Sequence, residues 1–367
     1  MTSFISTAAD GELQDALRAL GEPEWRARQI RDAVWQPYVK TFAGVRQLPA
    51  SLRGELAQRY AFSAVANADE TPADGGLTVK LLCRLHDGET IETVAMETPA
   101  SRYARRRSTV CVSSQVGCAV GCPFCATGRM GLRRNCSAAE IVDQVRAASA
   151  SLHAHGLGPV THVVYMGMGE PLANLDAVVE SLHVLVERAG VSPRRITVST
   201  SGVVPAIERL ADTAPPVTLA ISLHAATDEL RIKLVPLNRA HPIRSLVVAG
   251  VRYAQQTGRR LTFEWCLIGG VNDSLDQARA LRRLAQEAHA HINVIPMNHI
   301  EGSPWGPPSA EVSRSFLEAL SGVAVTVRDT RGNEADAACG QLRALLEARR
   351  ELRPDGTLGP PRRLPVA

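Results

Sequence analysis

The sequence predicts a parallel α/β protein: a partial (β/α) barrel with a small N-terminal helical domain and a β-hairpin lead-in. Three observations predict it. From residue 108 to about 345, short apolar runs alternate with stretches of helical periodicity, the pattern of a parallel sheet with crossover helices. Before residue 62 the apolar residues recur only at helical spacing. Between these blocks, two strand-like runs flank a turn signal.

The N-terminal block, 1–62, is expected to hold short helices on Leu13, Leu17 and Leu20, on Ile30, Val34 and Tyr38, and on Leu52, Leu56 and Tyr60. Gly21-Glu22-Pro23 and Leu48-Pro49 separate them. In the lead-in, 63–107, Leu77–Leu85 and Thr90–Met96 form a hairpin about His86-Asp87-Gly88. Barrel strands are expected at Ser108–Ser113, His162–Met166, Ile196–Ser199, Val217–Ser222, Leu261–Leu267, Ile292–Pro296 and Val323–Val327. Helices such as Ala138–Leu152, Leu175–Ala189 and Leu275–Ala288 lie between them. Six or seven strands fall short of the eight that close a barrel. The tail, 346–367, is rich in proline and glycine and reads as partly disordered.

Composition narrows the function classes. In 367 residues, 45% are hydrophobic and 21% charged, enough for a sizeable core. The net charge of +4 is mild and does not by itself imply nucleic acid. Almost all the positive charge is arginine, with Lys40, Lys80 and Lys233 the lysines. The first residues lack the basic and apolar regions of a signal peptide, and no apolar run is long enough to span a membrane. Eight cysteines are too sparse for a secreted disulfide scaffold, yet five fall between Cys111 and Cys136. That clustering points to a reducing compartment, the cytoplasm, and to a metal or redox centre.

The string Cys118-Ala-Val-Gly-Cys122-Pro-Phe-Cys125 places three thiols on one loop after the first barrel strand. Structural zinc wants four closed ligands, so a zinc loop would recruit Cys111 or Cys136. Three cysteines alone suit an iron–sulfur cube with one iron open. The loop falls at a C-terminal strand end, where α/β folds place their chemistry. Its CxxxCxxC spacing resembles the radical S-adenosylmethionine (SAM) enzymes. The resemblance implies a 4Fe-4S cluster held by Cys118, Cys122 and Cys125, with SAM chelating the open iron and cleaved to a 5′-deoxyadenosyl radical.

Further strings end other strands: Gly167-Met-Gly-Glu-Pro171, Val198-Ser-Thr-Ser-Gly202, Ser222-Leu-His224 and Ile295-Pro-Met-Asn298. With Cys111-Val-Ser-Ser-Gln-Val-Gly-Cys118 and Ala338-Cys-Gly-Gln341, they resemble the RlmN/Cfr family of radical SAM RNA methyltransferases, from roughly Leu13 to Leu345. By that resemblance Cys339 is methylated by one SAM and becomes the methyl carrier, while a second SAM supplies the radical. Cys111 is the resolving thiol that frees the product by forming a disulfide with Cys339. Glu92, in Ile91-Glu92-Thr93-Val94, matches the family's base, although by its own pattern it reads as a solvated strand carboxylate. Gly169 and Glu170 would hold the methionine amino group. Ser201 and the backbone around Ser222, Leu223 and His224 would contact the carboxylate, ribose and adenine, with Asn298 against the ribose or adenine. After Asn298 the sequence reads His299-Ile300-Glu301, where the family more often has a proline-containing turn.

The resemblance implies 23S ribosomal RNA and tRNA as substrates, a flavodoxin-type electron donor, no membrane partner and a monomer. Asp329-Thr-Arg-Gly332 looks more like the carbon-2 branch than the carbon-8, antibiotic-resistance branch. Arg102–Arg107, Arg129, Arg133, Arg134, Arg328 and Arg331 are expected to form an arginine collar that attracts phosphate, and the N-terminal helices to grip folded RNA by shape. Two rivals stand beside this reading: another radical SAM enzyme, which would not need Cys111 and Cys339, and a zinc-dependent RNA-binding module.

Overall fold

A computed structural model describes residues 3–102, 105–300, 303–328, 332 and 335–342. The N-terminal block comprises β1 (Ser3–Phe4), α1 (Asp10–Ala19), α2 (Arg26–Val34), α3 (Ala50–Arg59) and β2 (Tyr60–Ala61), with β1 paired to β2. Leu13, Leu17, Ile30, Leu52 and Leu56 are nearly inaccessible and form this block's own core. Tyr38 departs from expectation. α2 stops at Val34 and Tyr38 is exposed, because Pro37 cannot continue the helix.

The block is tied to the barrel by polar contacts. Arg146 donates to Val34 O at 3.0 Å and Phe62 O at 2.8 Å, and pairs with the buried Asp143 at 2.6 Å. Asp143 also accepts from the Ala64 N–H at 2.6 Å. A buried carboxylate is tolerable here because its oxygens are so used.

The lead-in is larger than a hairpin. β3 (Val65–Ala73), β4 (Thr78–Leu85) and β5 (Thr90–Thr98) are antiparallel, and β5 pairs antiparallel with β6 (Arg107–Cys111). The lead-in therefore continues the barrel sheet. β3 escapes sequence reading because it is an edge strand. Its exposed Asn67, Asp69, Glu70, Thr71 and Pro72 give no apolar alternation, and edges tolerate both charge and proline.

From β6 the chain runs through β7 (Gln115–Gly117), α4 (Ala126–Met130), β8 (Leu132–Asn135), α5 (Ala138–Ala154), β9 (His162–Tyr165), α6 (Leu175–Glu187), β10 (Ile196–Thr200), α7 (Val204–Thr213) and β11 (Thr218–Ser222). There follow α8 (Asp228–Leu234), α9 (Ile243–Thr257), β12 (Thr262–Leu267), α10 (Leu275–Glu287), β13 (His291–Pro296), α11 (Ala310–Ala319) and β14 (Val325–Val327). The ten-stranded sheet runs β14-β13-β12-β11-β10-β9-β6-β5-β4-β3, parallel from β6 to β14. Every barrel strand expected from the sequence is present, and the sheet stays open, with β14 and β3 as its unpaired edges. Ser137 and Glu140 form a capping box that starts α5.

Candidate active site

The cluster loop leaves β6 and is closed at its base by the β7–β8 pair. Gly117 is left-handed, and a Cβ there would lie 1.9 Å from Gly131 O, so only glycine allows this closure. The Cys125 N–H donates to Cys122 O at 3.1 Å, and a Cβ on Gly128 would meet Cys122 O at 2.8 Å. α4 thus packs directly on the loop. Cys118, Cys122 and Cys125 all border one cavity at the C-terminal end of the barrel strands. Burial pushes their thiols up, Cys118 to about 12, and Cys118 and Cys122 are raised further by neighbouring loop thiols.

The donor set fits an iron–sulfur cluster. Among the described residues no three His, Cys, Asp or Glu side chains could share one metal ion. Zinc would need all its thiolates within about 2.3 Å of one point, whereas a cluster spreads its thiolates over several irons. Neither candidate fourth zinc ligand joins the loop. The Cys111 thiol faces the Met166 N–H and Cys339, and Cys136 is buried near Cys83 and Glu140.

Opposite the loop, strand ends meet around two buried charges. Glu170 Oε1 accepts from Thr200 Oγ1 at 2.7 Å and the Leu172 N–H at 3.0 Å, and Oε2 accepts from the Ser201 N–H at 2.6 Å. Burial raises this carboxyl while those donors oppose the rise. The Ser201 hydroxyl also bonds this carboxylate, so four donors hold it in place at the cavity wall. Gly169, at φ 102°, packs against Gln115, where a Cβ would lie 2.6 Å from the Gln115 side chain. Gln115 accepts from the Glu170 N–H at 2.8 Å.

Arg231 is wholly buried. It donates to Ser201 O at 2.6 Å, Ser222 O at 3.0 Å, Leu223 O at 3.0 Å and Asn238 Oδ1 at 2.8 Å. One guanidinium fork therefore sets the ends of β10 and β11. Burial lowers it to about 10, still well above neutral.

His224 is left-handed at φ 58° and accepts the Cys266 N–H on Nδ1 at 2.9 Å. The neutral ring then carries its proton on Nε2. Burial, then Arg231, pushes it down to about 3.

Cys339 is exposed on the cavity wall. Asn298 donates to Cys339 O at 3.0 Å, Ala126 N–H to Gly340 O at 2.8 Å, Thr127 Oγ1 to Leu342 O at 2.6 Å and Gln341 to His299 O at 2.8 Å. The Cys339 loop is thereby pinned to the residues that follow Cys125. Desolvation raises its thiol, and the Arg328 guanidinium opposes the rise. Cys111 lies behind the wall. Burial and Cys339 push it up to about 12, against Met166 N–H and Arg328.

Of the residues singled out in the sequence, Cys118, Cys122, Cys125, Gly169, Glu170, Ser201, Ser222, His224, Asn298 and Cys339 share the cavity wall. Leu223 does not: its side chain is in the core, and only its carbonyl takes part, bound by Arg231. Glu92 is not a solvated carboxylate. It is buried, pairs with Lys80 at 3.3 Å, and lies opposite Ser113, which donates to Glu92 O at 2.5 Å. Strand alternation misleads here because both faces of β5 are covered: Thr93 meets Gln144 of α5 at 2.7 Å, and Glu92 lies on the other face, which β5 shares with Cys111 through the Val94–Cys111 pairing.

Four of the collar arginines are engaged in ion pairs: Arg133 with Glu89, Arg134 with Asp87 and Glu140, Arg106 with Glu97, and Arg328 with Glu264. Tyr103, Ala104, Glu301, Asp329, Thr330, Arg331 and the tail lie outside the described residues. Sequence reading missed Arg231, Gln115, Glu264 and Cys266. Arg231 sits in Asp228-Glu-Leu-Arg-Ile-Lys233, which looks like an ordinary solvated helix face.

Residues 112–281 match the radical SAM superfamily. The chain is 45% identical over 339 residues to a protein of Moorella thermoacetica named "Probable dual-specificity RNA methyltransferase RlmN", covering 90% of this chain and 94% of that one. A protein of the same name from Salinispora tropica is 46% identical, covering 90% of each. The crystal structure of a radical SAM methyltransferase from Sphaerobacter thermophilus superposes with TM-score 0.88 at 46% identity, covering 93% of this chain and 99% of that one. Among the described residues no helix is long and apolar enough to cross a membrane.

Proposed function

Because the chain belongs to the RlmN family of radical SAM proteins, we propose that it methylates carbon 2 of adenosine in 23S ribosomal RNA and tRNA, carrying the methyl group on Cys339. A ring carbon of adenine is too weak a nucleophile to take a methyl group from a sulfonium directly, so the protein must supply a carrier. The observation that carries the reading is the docking of the Cys339 loop. Its carbonyls are held by Asn298 and Ala126, the residue after Cys125, so a thiol foreign to the cluster loop is fixed beside it.

A 4Fe-4S cluster on Cys118, Cys122 and Cys125 would deliver, from a flavodoxin-type donor, the electron that cleaves SAM. Gly169 and Glu170 hold the methionine amino group. Ser201, Ser222 and His224, set by Arg231, orient the carboxylate, ribose and adenine. Asn298 holds the carrier loop through Cys339 O. Cys339 sulfur first takes a methyl group from one SAM, releasing S-adenosylhomocysteine. The 5′-deoxyadenosyl radical from a second SAM would take a hydrogen atom from that methyl group and leave as 5′-deoxyadenosine, the methylene carbon would bond to the base, and the adduct would give up one electron to the centre that supplied one. A base, for which Glu92 is the candidate, removes the ring proton. Cys111 thiolate then attacks Cys339 sulfur, and the sulfur–carbon bond breaks as the disulfide forms, its electron pair leaving with the methylene carbon, which takes up a proton to become the methyl group. Arg328 favours the thiolate of both cysteines.

The test is anaerobic incubation of the reconstituted protein with reductant, SAM and unmodified bacterial RNA, followed by nucleoside mass spectrometry. The expected product is 2-methyladenosine. An 8-methyladenosine product would move the protein to the other branch, and cleavage of SAM with no methylated adenosine would overturn the RNA assignment.

A further inference from the structure

Strand register fixes what one face of the lead-in sheet carries. Lys80 pairs with Val94 and Val94 with Cys111, while Thr78 pairs with Met96 and Leu82 with Glu92. Paired residues share a face, and alternate residues along a strand return to it. Thr78, Lys80, Glu92, Val94 and Cys111 therefore stand on one side. The other side, through Thr93, meets Gln144 of α5. The candidate base and the resolving thiol thus face the same way on neighbouring strands.

The chain that leads to Cys339 is seated on this same side. Gly332 is buried and left-handed at φ 74°, and a Cβ there would lie 2.7 Å from Ala337 Cβ and 3.3 Å from Thr78 Cγ2. Gly332 O accepts from the Ala335 and Ala337 N–H groups at 3.1 and 2.9 Å, which folds the segment into a compact turn against Thr78. One carboxylate locks turn to sheet. Asp74 Oδ2 accepts from the Gly332 N–H at 2.9 Å, across 258 residues of chain, and from Thr78 Oγ1 at 2.6 Å. Asp74 is itself left-handed at φ 51°, in the turn between β3 and β4 that continues through the left-handed Gly75 and Gly76. Aspartate tolerates that region better than most side chains. Beyond the turn, residues 339–342 are held by Asn298, Ala126, Thr127 and Gln341.

We propose that Asp74 is a positioning residue for the methyl carrier: it anchors the start of the Cys339 loop on the sheet face that presents Glu92 and Cys111. The loop then has two fixed ends, one at the cavity and one on the lead-in sheet. Without Asp74 only the cavity-side bonds remain, and Cys339 is held less closely to the two groups that must act after it. The proposal rests on the methyl-carrier reading and adds to it a residue from outside the barrel. Both bonds end on one oxygen. Asparagine, which keeps one amide oxygen, can therefore stand in for aspartate, and alanine cannot.

The test compares wild type with Asp74→Ala, Asp74→Asn and, as a control, Asp69→Ala, which removes an exposed carboxylate of β3. Each is measured for iron content, SAM cleavage without RNA, kcat and KM for methylation of unmodified bacterial ribosomal RNA, and the rate at which iodoacetamide labels Cys339. Asp74→Ala is expected to lower kcat about tenfold or more, because a reacting group displaced by an ångström costs at least that much, with KM unchanged. Its Cys339 should be labelled about threefold faster as the loop opens locally, while SAM cleavage and iron content stay at wild-type values. Asp74→Asn and Asp69→Ala should match wild type throughout. Unchanged kcat and labelling in Asp74→Ala overturn the inference. So does an asparagine variant as impaired as alanine, or loss of SAM cleavage and iron together with turnover, which marks a general role in folding. Absence of RNA methylation by wild type overturns the reading beneath, and the labelling comparison still decides whether Asp74 holds the loop.

Discussion

Replacing Arg231 by methionine measures how much of the site's geometry one buried cation supports. The guanidinium donates four hydrogen bonds, three to the main-chain carbonyls of Ser201, Ser222 and Leu223 and one to Asn238. Methionine fills similar space but leaves these acceptors without that donor, at about 1–3 kcal/mol each. Against this, the variant no longer buries a charge, which costs several kcal/mol in its own right. The balance for breaking such a network is a loss of about 3–5 kcal/mol. At roughly 2 °C per kcal/mol for a chain this large, the melting temperature of the loaded protein should fall by about 6–10 °C. Because the same carbonyls end β10 and β11 at the cavity, SAM affinity measured by equilibrium dialysis should fall at least tenfold. Lysine, charged but without a fork, should recover only part of each loss. A methionine variant that melts within about 1 °C of wild type and binds SAM equally well would refute the argument.

Other perturbations give separable outcomes. Gly128→Ala pushes a Cβ onto the main chain of Cys122, so iron bound per chain should be at least halved, with far-ultraviolet circular dichroism unchanged. His224 is held near pKa 3 against an ordinary 6.5. The unfolded chain therefore takes up a proton that the fold refuses as pH drops below 6.5. Up to ~5 kcal/mol of stability, complete above pH 6.5, is lost progressively toward pH 3. His224→Gln should make the denaturation midpoint less steep in pH between 6.5 and 5.5, and an unchanged slope would count against a buried neutral ring. Brief iodoacetamide treatment read by peptide mass spectrometry should label Cys339 before Cys111, Cys83 or Cys136, since Cys339 is exposed and the others are buried.

The barrel strands were readable because each is a short apolar run between helical stretches, and the cavity residues because they sit in strings at strand ends. What escaped reading is physical in origin. β3 carries the charge and proline of an edge strand. Glu92, Arg231 and Glu264 are buried charges whose cost is met by partners distant in sequence, such as Lys80, Ser201 and Asn293. Local pattern favours a solvated reading for each, and no local signal marks their burial. Asn298 was assigned to the cofactor by resemblance, whereas its amide also donates to the Cys339 carbonyl, a contact across 41 residues that no local pattern encodes. Arg133 and Arg134 look like phosphate contacts in the sequence, yet Glu89, Asp87 and Glu140 pair with them in the fold.

The central claim is that the methyl group travels on Cys339 and that Cys111 releases it. Incubating loaded Cys111→Ala protein with SAM, reductant and RNA tests this directly. The expected result is a protein–RNA adduct that survives denaturing electrophoresis, maps to Cys339 by mass spectrometry, and is absent from the Cys111→Ala/Cys339→Ala double variant. Free methylated adenosine from Cys111→Ala at the wild-type rate, with no adduct, would contradict it.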